Sequence, residues 1–236
     1  AIATSVSTRA LKPRTAIIMA AFLNFFGAMY STGVAKTIGG DIVKSAEHID
    51  EHIIVAALIG AIVWNLFTWW IAMPSSSSHA LVGGIIGAVL VSTGAIDLNF
   101  WGIGKIVLSL ILSPIIAIVV GFIIMNIFYL LFGKFRPSSL NNKFKRMQII
   151  TAATMAFSHG SNDAQKSMGI ITLALLSGGY IDVFEVPYYV KILAATAMAC
   201  GTAIGGWKII KTVGGRIFKL QPISGFAADL NSSVII

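Results

Sequence analysis

The residues best equipped for chemistry fall in two clusters, both inside apolar sequence. The first, residues 156–169, reads A-F-S-H-G-S-N-D-A-Q-K-S-M-G, within a run that is otherwise apolar from 149 to 176. A charged side chain at the centre of a membrane helix costs roughly 2.5–3.5 kcal/mol on insertion scales, so such residues face a protein interior or a water-filled path. Asp163 and Lys166 therefore read as parts of an ion or substrate site. Asn162 and Asp163 offer hard oxygen ligands to a small cation, and Asp163 alone can carry a proton. Lys166, one turn on, can neutralise Asp163 or attract an anion. Gly160, flanked by Ser158, His159, Ser161 and Asn162, gives the backbone a place to leave the helix, and a broken membrane helix is what transporters use to bind ions. The structural alternative is a hydrogen-bonded knot between packed helices, and for His159 a bond to a neighbouring backbone group.

The second cluster, residues 74–79, is P-S-S-S-S-H. The hydroxyls of Ser76, Ser77 and Ser78, together with N–H groups at the start of a half-helix, can replace the water around an oxyanion, and the helix dipole there favours negative charge. A flexible polar turn is the plain alternative for the serines. For His79, a helix-start hydrogen bond stands beside a substrate contact.

What must position these residues is a membrane protein. At 56% hydrophobic and 11% charged residues, with a mean hydropathy of +0.86, the composition does not describe a soluble domain. The net charge of +8 would suggest nucleic acid in a soluble chain, but there is no solvated basic face to carry it, and membrane proteins collect Lys and Arg in cytoplasmic loops. The single cysteine, Cys200, can form no intrachain disulfide. The chain opens A-I-A-T-S without a leader, and reads as a piece cut from something longer.

Apolar runs at 15–34, 53–73, 80–96, 106–132 (with Pro114 as a kink), 149–176 and 192–210 are the predicted helices. Placing the loops at 9–14, 134–146 and 208–219 in the cytoplasm collects 12 of the 17 Lys and Arg there. That orientation requires residues 53–96 to enter and return, as two spans or as a re-entrant hairpin with 74–79 at its tip. A repeat is also visible: K-T-I-G-G-D-I-V-K at 36–44 and K-T-V-G-G-R-I-F-K at 211–219. The two copies emerge on opposite sides, the mark of an inverted-topology repeat. The predicted organisation is a first repeat over 1–133, a basic cytoplasmic linker over 134–147 and a second repeat over 148–236.

F-S-H-G-S-N-D-A-Q-K-S-M-G, P-S-S-S-S-H and the opening A-I-A-T-S-V together resemble the inorganic phosphate transporter (PiT) family, over essentially the whole chain. The resemblance implies an all-α integral membrane carrier with two inverted halves, each holding an N-D motif on a broken helix and P-x-S-[ST]-[ST]-H on a re-entrant hairpin. It implies phosphate carried with sodium or protons, without a cofactor or bond-making chemistry. On these motifs phosphate is expected at Ser76, Ser77, Ser78, His79, Ser161 and Lys166. The coupling cation or proton is expected at Asn162, Asp163 and Gln165, with sodium at Asp163. The first-half N-D-x-A-N and the second-half hairpin motif are expected to lie before residue 1 and after residue 236. Where many members have N-D-x-A-N in both halves, this chain has Asn162, Asp163, Ala164, Gln165 and Lys166, so a fixed ammonium replaces a cation ligand. The expected partners are inorganic phosphate, sodium or a proton, the lipid bilayer of the cell membrane and, in a homodimer, a second copy. Another ion-coupled anion carrier is the alternative. A membrane metalloenzyme built on His159 and Asp163 has too few ligands.

Overall fold

The computed structural model describes residues 2–33, 35, 50–94, 98–134, 137–213 and 220–235. Among them the chain forms α1 (Ala3–Ser7), α2 (Pro13–Tyr30), α3 (Glu51–Trp70), α4 (Ser77–Ser92), α5 (Phe100–Phe132), α6 (Pro137–Ser177), α7 (Tyr188–Lys211) and α8 (Pro222–Ile235). No β-strand occurs among the described residues. Helices α3, α5 and α7 are long and apolar enough to cross a membrane. At 1.5 Å per residue even the 20 residues of α3 make about 30 Å, the thickness of a hydrocarbon core. Ile118, Phe122 and Leu130 of α5 and Ile204 of α7 stay exposed, as side chains that face lipid do. The all-α membrane architecture is as predicted, and α5 continues as helix through Pro114.

The chain divides into two compact units. The first holds residues 1–27, 109–160 and 198–236, the second 28–108 and 161–197. Each takes residues from either side of 134–147; the predicted repeat boundary concerns chain symmetry, which compactness does not measure. The repeat copy at 36–44 lies outside the described residues, and the copy at 211–219 is described only to 213.

In the second unit, α3 and α4 pack against each other across the 71–76 turn. The apolar faces meet through Ile53, Ile54, Ala57 and Ala61 of α3 and Leu81, Val82, Ile85 and Val89 of α4, joined by Leu98, Ile170 and Leu173. The spacing of these positions places them on one stripe of each helix. Without water to drive apolar burial, membrane helices gain from close packing, which small residues permit. Gly84 is such a residue: a Cβ there would stand 2.5 Å from the Ala57 carbonyl oxygen. The turn begins with a Schellman cap, in which the Met73 N–H donates to the Thr68 carbonyl at 2.9 Å and the Ala72 N–H to that of Trp69 at 3.0 Å. Pro74 then bars any return to helix.

The first unit packs Ala16, Ala20 and Ala156 with Ile2 and Ile210. Phe128, Phe144 and Phe226 form an aromatic cluster, with Phe128 and Phe226 stacked at 5.7 Å. Each of its buried polar side chains has a partner, while the atoms Asn24 Oδ1, Gln148 Nε2, Asp229 Oδ2 and Asn231 Oδ1 have none among the described residues. Thr4 donates to Asp229 at 2.5 Å, Thr8 to Gln148 at 2.6 Å, Asn24 to Thr202 at 2.8 Å and Asn231 to the Ala117 carbonyl at 3.0 Å.

Two expectations need correction. The stretch 134–146, read as a loop, is helical from Pro137, which opens α6 at the position where a proline's missing N–H costs nothing. The predicted break at Gly160 is absent, because α6 continues as helix through 158–166. Gly160 serves a different purpose. A Cβ there would lie 2.3 Å from the Asn24 carbonyl oxygen and 2.4 Å from the Asn24 Cα, so the glycine lets α2 and α6 touch backbone to backbone.

Candidate functional site

Three helix faces of the second unit enclose a cleft of about 280 Å³. From α3 come Leu58, Ala61, Ile62 and Asn65, from α4 Ser77 and Leu81, and from α6 Asp163, Lys166, Ser167 and Ile171. Each set recurs at three- and four-residue intervals, as one face of a helix must. Apolar residues make the walls, and the polar groups gather among them.

At the centre stands Lys166. Its Nζ donates to Asp163 Oδ1 at 2.5 Å, an i,i+3 pair along α6. It also donates to Ser78 Oγ at 2.5 Å, across to α4. The side chains of Lys166 and Asp163 are only 18% and 27% exposed, so the pair is partly desolvated and stronger than an ion pair on an open surface. The two motifs, 88 residues apart in the chain, are thus joined by one ammonium.

The other predicted residues take up different positions. Ser76 caps α4: its Oγ accepts the His79 N–H at 3.4 Å, a long form of the usual N-cap bond. Ser77 lines the cleft at the first turn of α4, where unsatisfied backbone N–H groups and the helix dipole favour an anion. His79 is exposed and lines a separate groove with Gly60, Trp64, Ala80, Gly83 and Gly84, of about 410 Å³. On α6, the Gln165 side chain is buried and its Nε2 donates to Ser161 Oγ at 3.4 Å. Asn162 is half-buried in the same turn. The structure therefore brings Ser77, Ser78, Asp163 and Lys166 together, and leaves Ser76, His79, Ser161, Asn162 and Gln165 beside them.

Sequence reasoning passed over Asn65 and Ser167, which line the cleft, and Ser75, whose hydroxyl meets that of Thr68 at 2.8 Å beneath the turn. Asn65 and Thr68 carried a signal, being polar residues one turn apart in an apolar run. The pairing of Thr4 with Asp229 and of Thr8 with Gln148 was invisible, because it joins residues 225 and 140 positions apart. Among the described residues no three His, Cys, Asp or Glu side chains gather closely enough to hold a metal ion.

The sequence pattern of the phosphate transporter family matches residues 1–236. The chain is 53% identical over 238 residues to a probable low-affinity inorganic phosphate transporter of Bacillus subtilis (strain 168), covering all of this chain and 72% of that protein. It is 40% identical over 237 residues to a protein of the same description from Rhizobium meliloti (strain 1021), covering all of this chain and 71% of that one. Among solved structures, one described as the sodium-dependent phosphate transporter superposes with a TM-score of 0.87 at 24% identity, over 99% of this chain and 77% of its own. At that identity the likeness is one of fold.

Proposed function

Because the chain belongs to the phosphate transporter family, we propose that it is an ion-coupled carrier moving inorganic phosphate across the cell membrane by alternating access. Membership of a transporter family makes it a transport protein and not an enzyme. The observation that carries the finer reading is the Lys166 ammonium held between Ser78 of the hairpin and Asp163 of α6. Phosphate sits in the cleft these residues line. Ser77 and Ser78 present hydroxyls, the N-terminus of α4 presents N–H groups and a favourable dipole, and Lys166 presents a positive charge. Ser76 supports the phosphate side by fixing the start of α4, while His79 and Ser161 stand beside the cleft and not in its lining. The coupling cation or proton acts at Asp163 with Asn162 and Gln165. Leu58, Ile62, Leu81 and Ile171 keep the local dielectric low, so each polar contact counts for more than in water.

The test is reconstitution of the full-length protein in liposomes, with labelled phosphate outside and a sodium or proton gradient across the membrane. Saturable uptake that rises with the gradient is expected. Conductance without saturation, or uptake indifferent to both gradients, would mean a channel or passive pore instead. Competition by sulfate as strong as by phosphate would assign a broader anion carrier.

A further inference from the structure

The geometry at Asp163 bears on which ion works there. Two of the three N–H donors of an ammonium are committed in Lys166, one to Asp163 Oδ1 and one to Ser78 Oγ, each at 2.5 Å. The third remains for an oxyanion in the cleft. Asp163 is the one acid among the described residues lining that cleft, and its charge is balanced by Lys166. A metal cation on the same carboxylate, at ordinary metal–oxygen distances of roughly 2.0–2.6 Å, would stand within about 5 Å of Nζ, with no second carboxylate among the described lining residues to offset it. Lys166 cannot swing aside without breaking its bond to Ser78. Being one turn along the same helix, it is fixed to the site as no diffusible ion is.

We propose that Lys166 is a resident cation: its ammonium fills the place at Asp163 that a coupling sodium ion would take, so that phosphate binding in this cleft needs no sodium. The inference rests on the phosphate reading above and makes Lys166 the residue that decides ion dependence.

The experiment uses the full-length protein in proteoliposomes, measuring labelled phosphate uptake under a fixed proton gradient with sodium or choline as the salt. Wild-type rates should agree within about twofold in the two salts, since an ion without differential binding shifts nothing. Lys166→Asn should lose more than about tenfold in choline, the loss of one or more charge-assisted hydrogen bonds, and recover in sodium. Lys166→Arg, which keeps the charge, should stay indifferent to sodium at whatever rate it retains. Calorimetric phosphate binding to the wild-type protein gives a second readout that depends on no variant folding. A Kd unmoved by sodium supports the proposal; a tightening of about tenfold or more overturns it. So does wild-type uptake that collapses in choline, or a folded Lys166→Asn variant that sodium fails to rescue. If the wild-type protein carries phosphate but only with sodium, this inference alone falls. If it neither binds nor carries phosphate, the functional reading falls and takes the inference with it.

Discussion

The two compact units differ in charge more than in composition. The first holds 12 of the 17 Lys and Arg but only Asp229 among the nine acids; the second holds five bases and eight acids. The three basic stretches that charge bias assigns to one side of the membrane all belong to the first unit. Yet the unit with the larger positive charge is not the one whose ammonium is built into a cleft. Arg9, Lys12 and Arg14 of the first unit are exposed, where each charge is solvated and screened. Lys166 of the second is held by two partners in an apolar-walled space. Regional charge sets orientation, and local pairing makes a site.

The two buried or half-buried carboxylates make the contrast sharper. Asp163 meets an ammonium. Asp229 is 1% exposed, forms no ion pair with a Lys or Arg among the described residues, and accepts the hydroxyl of Thr4. Neutralising each should therefore have different consequences. Asp163→Asn keeps an oxygen for Lys166 but removes the charge that balances the ammonium, and phosphate uptake in proteoliposomes should drop by more than about tenfold, the equivalent of a weakened charge-assisted pair. Membrane insertion should be intact, because the shape is kept. Asp229→Asn retains an oxygen for Thr4, so its thermal unfolding should shift by less than about 1 kcal/mol. Thr4→Val, which leaves a buried carboxylate without its donor, should cost about 1–3 kcal/mol. Equal losses for Asp229→Asn and Thr4→Val would show that the charge at 229 matters as much as the hydrogen bond.

The serines of the hairpin divide by position. Ser78→Ala removes the hydroxyl that Lys166 holds and should raise the KM for phosphate by about tenfold or somewhat more. Ser77→Ala, which only lines the cleft, should raise it less. Ser76→Ala should act on stability instead, by about 1 kcal/mol as a lost N-cap, with the smallest change in KM of the three. Equal KM effects at all three positions would argue that the tip binds phosphate as one flexible loop.

Much of this was legible in the chain and some was not, for physical reasons. The helices followed from apolar runs of membrane length, and the turn between α3 and α4 from Pro74. The chemistry-bearing clusters stood out because a polar residue in hydrocarbon requires a cause. Gly160 misled for an equally physical reason. A glycine among Ser, His and Asn is compatible with a helix break and with a close crossing, and only the position of Asn24 on another helix decides between them. The helical start at Pro137 was hidden because basic residues signal a loop to charge rules while remaining good helix formers. The joining of Ser78 to Lys166 lay beyond sequence reading altogether, since no local pattern fixes which turn of α6 faces the hairpin.

The Gly160 crossing gives a test inside the first unit. Gly160→Ala puts a methyl into the Asn24 backbone and should destabilise by about 1–3 kcal/mol, as overpacking does. Were the glycine there to permit a break in the helix, alanine would instead favour helix and raise stability by about 1 kcal/mol. Thermal unfolding of the purified protein separates the two by sign.

The smallest expected effect lies at the end of α3, and it comes from comparing two helix ends within the second unit. Helix α6 ends with Gly179 at φ +70, and its cap is made by the Tyr180 N–H donating to Leu175 at 2.9 Å and the Gly179 N–H donating to Leu176 at 3.1 Å. Helix α3 ends with the same pattern of bonds, but the left-handed position is Ala72, at φ +57. A Cβ in that region costs roughly 1–2 kcal/mol, and glycine removes the cost. Glycine also widens the unfolded ensemble, which offsets about 0.4–1 kcal/mol of the gain. Ala72→Gly should therefore stabilise the protein by a net of about 0.5–1 kcal/mol, and Gly179→Ala should destabilise it by about the same amount, both read as shifts in thermal unfolding. Since Ala72 touches neither the cleft nor the α3–α4 core, phosphate KM should not follow the change. A stabilised Ala72→Gly variant with altered KM would mean that the strained alanine holds the serine tip in place. The turn would then belong to the site that Ser78 and Lys166 define.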